Sequence, residues 1–124
     1  MGATGLRYHR PMTDDQRLDL LRRLHRGQTS RNREFGRFAD PEARRVLRAY
    51  RRVRSLLREL ARPGVRAGAR WSTNPGGLDV AVECPRLRYR RVVVLAPWEA
   101  RFLLAETDGA LSPDAPARHP LPDA

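Results

Sequence analysis

Apolar and cationic positions repeat with the period of an α-helix along residues 41–61. At about 100° per residue, one face of this helix collects the apolar residues Ala43, Val46, Leu47, Tyr50, Val53, Leu57 and Leu60. The opposite face collects Arg44, Arg48, Arg51, Arg58 and Arg62. Asp40 is a favourable N-cap, Pro41 suits the first helical position, and Pro63 ends the helix. The pattern predicts a long helix with one buried face and one cationic face.

A shorter helix is predicted before it. Thr13 and Gln16 have the spacing of a capping box, and Gly27 is placed to end the helix. The apolar stripe of this helix consists of Leu18, Leu20, Leu21 and Leu24. The two helices therefore form a predicted N-terminal pair, joined by a long connection at residues 27–40.

After residue 64 the helical period gives way to the alternation that is typical of β-strands. Three strands are predicted, at residues 69–73, 78–84 and 89–95. The second strand alternates strictly, with a buried face of Leu78, Val80, Val82 and Cys84 and a solvated face of Asp79, Ala81 and Glu83. The third strand is rich in Val, so we expect it to be buried more deeply. Pro97 starts a short final helix that ends at Glu106.

These elements predict an α+β fold, with an N-terminal helix pair packed on a three-stranded antiparallel meander and a short C-terminal helix. A chain of 124 residues suits one domain, which we assign to residues 13–106. Residues 1–12 are predicted to be a flexible arm and residues 107–124 a disordered Pro-rich tail. From residue 41 onward the order of elements resembles that of double-stranded RNA-binding domains. Those domains carry a basic cluster at the start of the last helix, and this chain does not.

Charge adds a functional preference to this fold. The chain has 25 cations, all of them Arg, and 14 acids, for a formal net charge of +11. Residues 96–124 contain 2 Arg and 5 acids, so the positive charge belongs to the first 95 residues. A codon bias toward Arg would explain the lack of Lys but not the scarcity of acids. An anionic partner is therefore favoured.

The candidate anion-binding residues form three groups. The first is the helix face with Arg44, Arg48, Arg51, Arg58 and Arg62. The second is the connection at residues 27–40, which interleaves Arg31, Arg33 and Arg37 with Phe35 and Phe38. The third consists of Arg86, Arg88 and Arg90, which share one side of the last strand. Guanidinium groups match the geometry of phosphate well, although a solvated cationic surface without a ligand is the alternative interpretation.

Catalytic and metal-binding patterns are weak. Asp79 and Glu83 share one strand face, as carboxylates do in metal-dependent nucleases. No lysine accompanies them, so cross-strand pairing with Arg88 or Arg90 is the favoured interpretation. The three His and one Cys have no metal-ligand spacing, and there is no glycine-rich phosphate loop. We expect a protein without enzymatic activity, cofactor or metal.

Location follows from cysteine usage and hydropathy. Cys84 is the one cysteine, so an intrachain disulfide is impossible and a reducing compartment is the simple assumption. The longest strongly apolar run, residues 92–96, is too short to cross a membrane, and the N-terminus does not have the pattern of a secretory signal. We expect a cytoplasmic protein that does not bind membranes.

The sequence thus favours a small basic polyanion-binding protein that binds nucleic acid, DNA or RNA, through phosphate contacts with little sequence specificity. The alternative is a protein-interaction or assembly subunit that docks on an acidic partner through its Arg residues and the Phe35 and Phe38 connection. Trp71 and Trp98 are expected to pack beside the sheet rather than to stack on bases. Oligomeric state is not predicted.

Overall fold

The computed structural model describes residues 11–28 and 41–114, and in these ranges the elements follow the predicted order. Two helices come first, α1 (Asp14–His25) and α2 (Pro41–Leu60). A three-stranded antiparallel sheet follows, built from β1 (Arg66–Trp71), β2 (Leu78–Cys84) and β3 (Tyr89–Leu95) in that spatial order. A short 3-10 helix, Pro85–Leu87, joins β2 to β3, and α3 (Pro97–Glu106) comes last. The predicted α+β order of helices and antiparallel strands is confirmed.

The chain divides into two compact units whose boundary lies inside α2, between Arg51 and Arg52. The first unit contains α1 and the first half of α2. The second contains the remainder of α2, the sheet and α3. The predicted N-cap Asp40, the arm up to residue 10 and the last residues, 115–124, lie outside the described ranges.

In the first unit, α1 begins with the predicted capping box. The Thr13 hydroxyl accepts a hydrogen bond from the Gln16 amide at 3.1 Å, and the Gln16 side chain accepts one from the Thr13 amide at 2.9 Å. Gly27 follows the helix with a φ of 71°, a left-handed conformation that a residue with a Cβ rarely adopts. The leucine stripe is buried, and Arg17 bridges from α1 to Glu42 of α2 at 3.2 Å.

The buried stripe of α2 agrees with the predicted one at Ala43, Val46 and Val53. It differs elsewhere, because Ala49 and Leu56 are buried, whereas the predicted residues Leu47, Tyr50, Leu57 and Leu60 are half-buried. Val46 and Val53 are fully buried, as expected, but the third fully buried residue is Leu56 rather than Leu57, which is half-buried like Tyr50. At about 100° per residue, the buried residues form a face about as wide as the predicted one, but turned by about 40° around the helix axis. The expectation for Leu57 was therefore wrong.

The sheet has one buried face. In β2, Leu78, Val80, Val82 and Cys84 are buried, as predicted, while the alternate residues are half-buried. The expectation that β3 is buried more deeply is wrong, because Val92 and Val94 are 55% and 54% exposed. Antiparallel pairing places these two Val on the face opposite Val80, and a face of a sheet without cover exposes its side chains whatever their type.

A carboxylate cluster ties α2 to β3 within the second unit. Glu59 of α2 accepts hydrogen bonds from the Tyr89 hydroxyl at 2.7 Å and from Arg91, whose Nη2 lies 2.5 Å away. Burial raises the pKa of Glu59, but these hydrogen bonds and the charge of Arg91 outweigh it, so the pKa lies below its ordinary value of 4.5. The hydrogen bond to Glu59 also raises the pKa of Tyr89 and of Arg91.

The N-terminus of α3 is held by a second carboxylate. Glu99 is 3% exposed, and its two oxygens accept a hydrogen bond from the Ala96 amide at 2.8 Å and one from Arg52 of α2 at 2.6 Å. Trp98 and Phe102 are buried, as predicted, whereas Ala105 is exposed. Glu99 therefore caps its own helix and neutralises an α2 arginine at the same time.

After α3 the chain continues through turns to the end of the described range at Asp114. The Asp114 carboxylate accepts a hydrogen bond from the indole nitrogen of Trp71 at 3.3 Å. Residues 107–114, assigned to the tail by sequence, thus form turns. No helix within residues 11–28 and 41–114 has the length and apolar character needed to cross a bilayer.

Substitution of Leu56 tests the buried stripe. Leu56→Ala is expected to lower the free energy of unfolding by about 2–5 kcal/mol, because the side chain has no exposed surface and its removal leaves a cavity. Leu57→Ala is the matched control and is expected to cost clearly less, since Leu57 is half-buried. Urea denaturation of both variants provides the measurement, and equal losses would contradict the assignment.

The Glu59 cluster predicts a pH dependence. Because the folded-state pKa of Glu59 is depressed, its carboxylate stabilises the fold above the ordinary pKa of 4.5, and this contribution is lost as the pH falls through the folded-state value. Glu59→Gln is therefore expected to unfold at lower urea concentration than the wild type at pH 7, with the difference shrinking in acid. Tyr89→Phe, which keeps the Arg91 pair, is expected to show a smaller difference. A difference that stays constant with pH would refute this role of the carboxylate.

Candidate anion-binding surface

One face of α2 carries a row of arginines. Arg44, Arg48, Arg51 and Arg58 fall within about 80° of one another around the helix axis. The row covers about 21 Å of the axis, from the first turn of the helix to the last. All four side chains are exposed, and they point away from the buried stripe that contains Val53. We call these four residues the α2 row.

The α2 row has no acidic partner among the described residues. The ion pairs of residues 11–28 and 41–114 involve other cations, and the one that uses an α2 arginine is between Arg52 and Glu99. Glu99 belongs to α3. The two glutamates of α2 itself, Glu42 and Glu59, bind Arg17 and Arg91. Among the described residues, both glutamates of α2 are thus used elsewhere, and no described acid occupies the hydrogen-bond donors of the four guanidinium groups of the row.

Two further arginines flank the α2 row and were not among the predicted site residues. Arg45 and Arg54 are exposed and lie on opposite sides of the row, each about 80–100° from its centre. Neither is part of an ion pair in the described residues. The signal was present in the sequence, because a helical projection places both at the margins of the cationic face. The basic surface therefore extends over about half of the helix circumference.

Arg62 lies beyond the end of α2. It is exposed in the turn that follows the helix, and its charge lowers the pKa of Glu59. Gly64 completes this turn with a φ of 81°. Arg62 therefore adds to the positive potential at the C-terminal end of the α2 row. Its charge also interacts with the carboxylate of Glu59, which offsets part of that potential.

The other two predicted groups of arginines, in the connection between the helices and beside the last strand, do not form a continuous surface in the described residues. Arg31, Arg33 and Arg37, together with Phe35 and Phe38, lie outside the described residues. The prediction that Arg86, Arg88 and Arg90 share one side of a strand is wrong, because β3 begins only at Tyr89. Arg86 belongs to the 3-10 helix and Arg88 has a left-handed φ of 51°, which breaks the alternation. Arg90 alone of the three lies in β3.

The acids of β2 are occupied by arginines. Glu83 contacts Arg66 of β1, which donates a hydrogen bond to Oε1, and lies 4.0 Å from Arg90 of β3. Asp79 lies 3.7 Å from Arg70. Cross-strand pairing with Arg90, the favoured interpretation of Glu83, thus agrees with the geometry, and Arg66 is an additional partner. No group of three potential metal ligands occurs within the part of the chain that the structure describes.

The two tryptophans occupy different environments. Trp98 is 5% exposed within the second unit, whereas Trp71, at the end of β1, is 46% exposed and bonded to Asp114. Cys84 is buried as a free thiol. Trp98 is therefore buried, as expected, whereas the indole of Trp71 is exposed to solvent.

An exposed row of guanidinium groups that has no acidic partner in residues 11–28 and 41–114 can hold repeated anions. Each Arg presents donors in a fork that matches the oxygens of a phosphate, and the helix keeps the charges at constant spacing. A row of this kind carries no means of distinguishing bases, because backbone phosphates are the same in every sequence. The arrangement suits a polyanion with a regular charge spacing.

Comparison of this chain with known protein families, with curated proteins and with solved structures finds no match.

Proposed function

We propose that this protein binds nucleic acid, DNA or RNA, through phosphate contacts made by the α2 row, with little dependence on base sequence and without catalysis. The observation that carries the proposal is the exposed row itself, four arginines with no acidic partner among the described residues. Unpaired, solvated cations release condensed counterions from a nucleic acid when they bind, which is the main source of nonspecific affinity.

Three features support a nucleic acid over a small anion. The row is about 21 Å long, so it spans several successive phosphates of a strand. Its flanks are basic as well, since Arg45 and Arg54 are exposed on either side. The net charge of +11 adds long-range attraction that accelerates association with any polyanion. The proposal places the protein in the cytoplasm, the reducing location that a single free cysteine suits.

An acidic protein would also be attracted by these charges. The α2 row favours nucleic acid over such a partner because its arc of the helix carries arginines and Ser55, while the half-buried Leu47 lies at its margin. Protein interfaces usually combine charge with a buried apolar centre, and the α2 row lacks one. Phosphate chains need charge alone.

Replacement of the α2 row provides the test. The quadruple variant Arg44→Gln, Arg48→Gln, Arg51→Gln, Arg58→Gln keeps helix propensity nearly constant. If each arginine contacts one phosphate, the slope of log affinity against log salt is expected to shrink by about 3–4 units on duplex DNA, equally for unrelated sequences. Fluorescence anisotropy with labelled DNA and RNA duplexes, over about 50–200 mM salt, measures the slope.

A matched control removes four exposed or half-exposed charges elsewhere. Arg22, Arg26, Arg70 and Arg86 changed to Gln give the same net charge as the row variant, and they are expected to reduce the slope by clearly less. Equal effects of the two variants would show that net charge, not the α2 row, is responsible. Absence of wild-type binding near 50 mM salt, or displacement of a duplex by poly-glutamate at equal charge concentration, would overturn the nucleic-acid assignment.

A further inference from the structure

The uncovered face of the sheet is a second surface with a different chemistry. We call it the outer face, and it is opposite to buried Val80. Antiparallel register arranges its side chains in three rows across the strands. The central row is Gly68, Ala81 and Val92; the two flanking rows are Arg66, Glu83 and Arg90, and Arg70, Asp79 and Val94.

The centre of the outer face is apolar. Gly68 and Ala81 have little or no side chain, and Val92 and Val94 rise beside them at 55% and 54% exposure. A single exposed apolar residue needs no explanation, but here two branched ones adjoin on one strand next to small neighbours. The central row therefore forms a continuous apolar strip that crosses all three strands.

The rim of the outer face holds cations that are incompletely neutralised. Arg66 and Arg90 share one carboxylate, that of Glu83, and the contact to Arg90 is 4.0 Å long. The Arg70 side chain is 85% exposed, with its Nε 3.7 Å from Asp79. Distances above the usual hydrogen-bond limit leave donors of Arg70 and Arg90 free to bind another carboxylate.

Shape and charge together select one kind of occupant. We propose that the outer face docks an acidic amphipathic helix of another protein, with apolar side chains on Val92 and Val94 and carboxylates on Arg70 and Arg90. Three strands at about 4.8 Å spacing make the outer face about 10 Å wide, which matches the diameter of one helix that lies along the strands. This surface uses different residues from the α2 row and does not depend on its function.

Other occupants fit less well. A second copy of the chain would bring the same excess of arginines against the outer face, and each chain carries a net charge of +11. A nucleic acid would meet the strip of Gly68, Ala81 and Val92, which offers no aromatic ring for base stacking. An acidic helix with an apolar stripe can pack its apolar side chains on the strip and pair its carboxylates with the arginines of the rim.

Designed peptides serve as the probe. One 18-residue helix carries Leu at positions i, i+3, i+4 and i+7 and Glu elsewhere; a second has the same composition with the Leu dispersed; a third replaces Glu by Lys. The full chain is expected to bind the first at least about tenfold more tightly than either control, because only the first satisfies the strip and the rim. Isothermal titration calorimetry measures the affinities.

Variants of the chain locate the binding. Val92→Thr with Val94→Thr keeps strand propensity and size but makes the strip polar, and is expected to weaken binding of the first peptide about tenfold. Arg70→Gln is expected to weaken it less and to reduce its salt dependence. Leu87→Thr is the matched control, since Leu87 is 74% exposed in the 3-10 helix and off the outer face; its affinity is expected to be unchanged.

Several outcomes would overturn the proposal. Equal binding of the dispersed-Leu peptide would mean that charge alone attracts the probe, and an unchanged affinity of the double Thr variant would exclude the outer face. A dimer in sedimentation that the double Thr variant dissociates would identify a second copy as the occupant. Loss of duplex binding in that variant would identify nucleic acid. Circular dichroism and thermal melting verify that the variants fold, and Arg70→Gln tests the rim independently.

Discussion

Burial of one narrow stripe of α2 decides where the arginines of that helix point. Val46, Val53 and Leu56 have no exposed surface, and the helix geometry then leaves every other direction to the remaining side chains. With seven Arg among the 20 residues of α2, the opposite half of the helix becomes cationic. The cationic surface is therefore a consequence of core packing, and any change that rotates the buried stripe would rotate the surface with it.

The scarcity of acids is the reason why the α2 row has no described counterion. Glu59 binds Tyr89 and Arg91 of β3, and Glu99 binds the first turn of α3 and Arg52. These contacts connect α2 with the sheet and α3 inside the second unit. Because the carboxylates are used in this way, the α2 row is left without a described counterion, and its field is available to a ligand.

The two proposed surfaces follow different physical rules. The α2 row is charged without an apolar centre, so its affinity depends steeply on salt and little on ligand shape. The outer face of the sheet combines Val92 and Val94 with loosely paired arginines, so it needs a partner of matching shape. The two proposals thus assign a polymer of repeated charge to one surface and a folded segment to the other.

Local pattern alone determined most of the elements. The capping box of Thr13, the left-handed glycines and the strict alternation of β2 are set by neighbours in sequence, so their positions were predictable. Tertiary structure decided the rest. Leu56 and Leu57 both fit an apolar helix face, and the exposure of Val92 depends on which face of the sheet is covered. The partner of Glu59 lies 32 residues away in the chain, at Arg91. Which of two apolar residues is buried, which face of the sheet is covered and which residue pairs with Glu59 all depend on contacts between residues distant in sequence. The local periodicity of the sequence carries no information about those contacts.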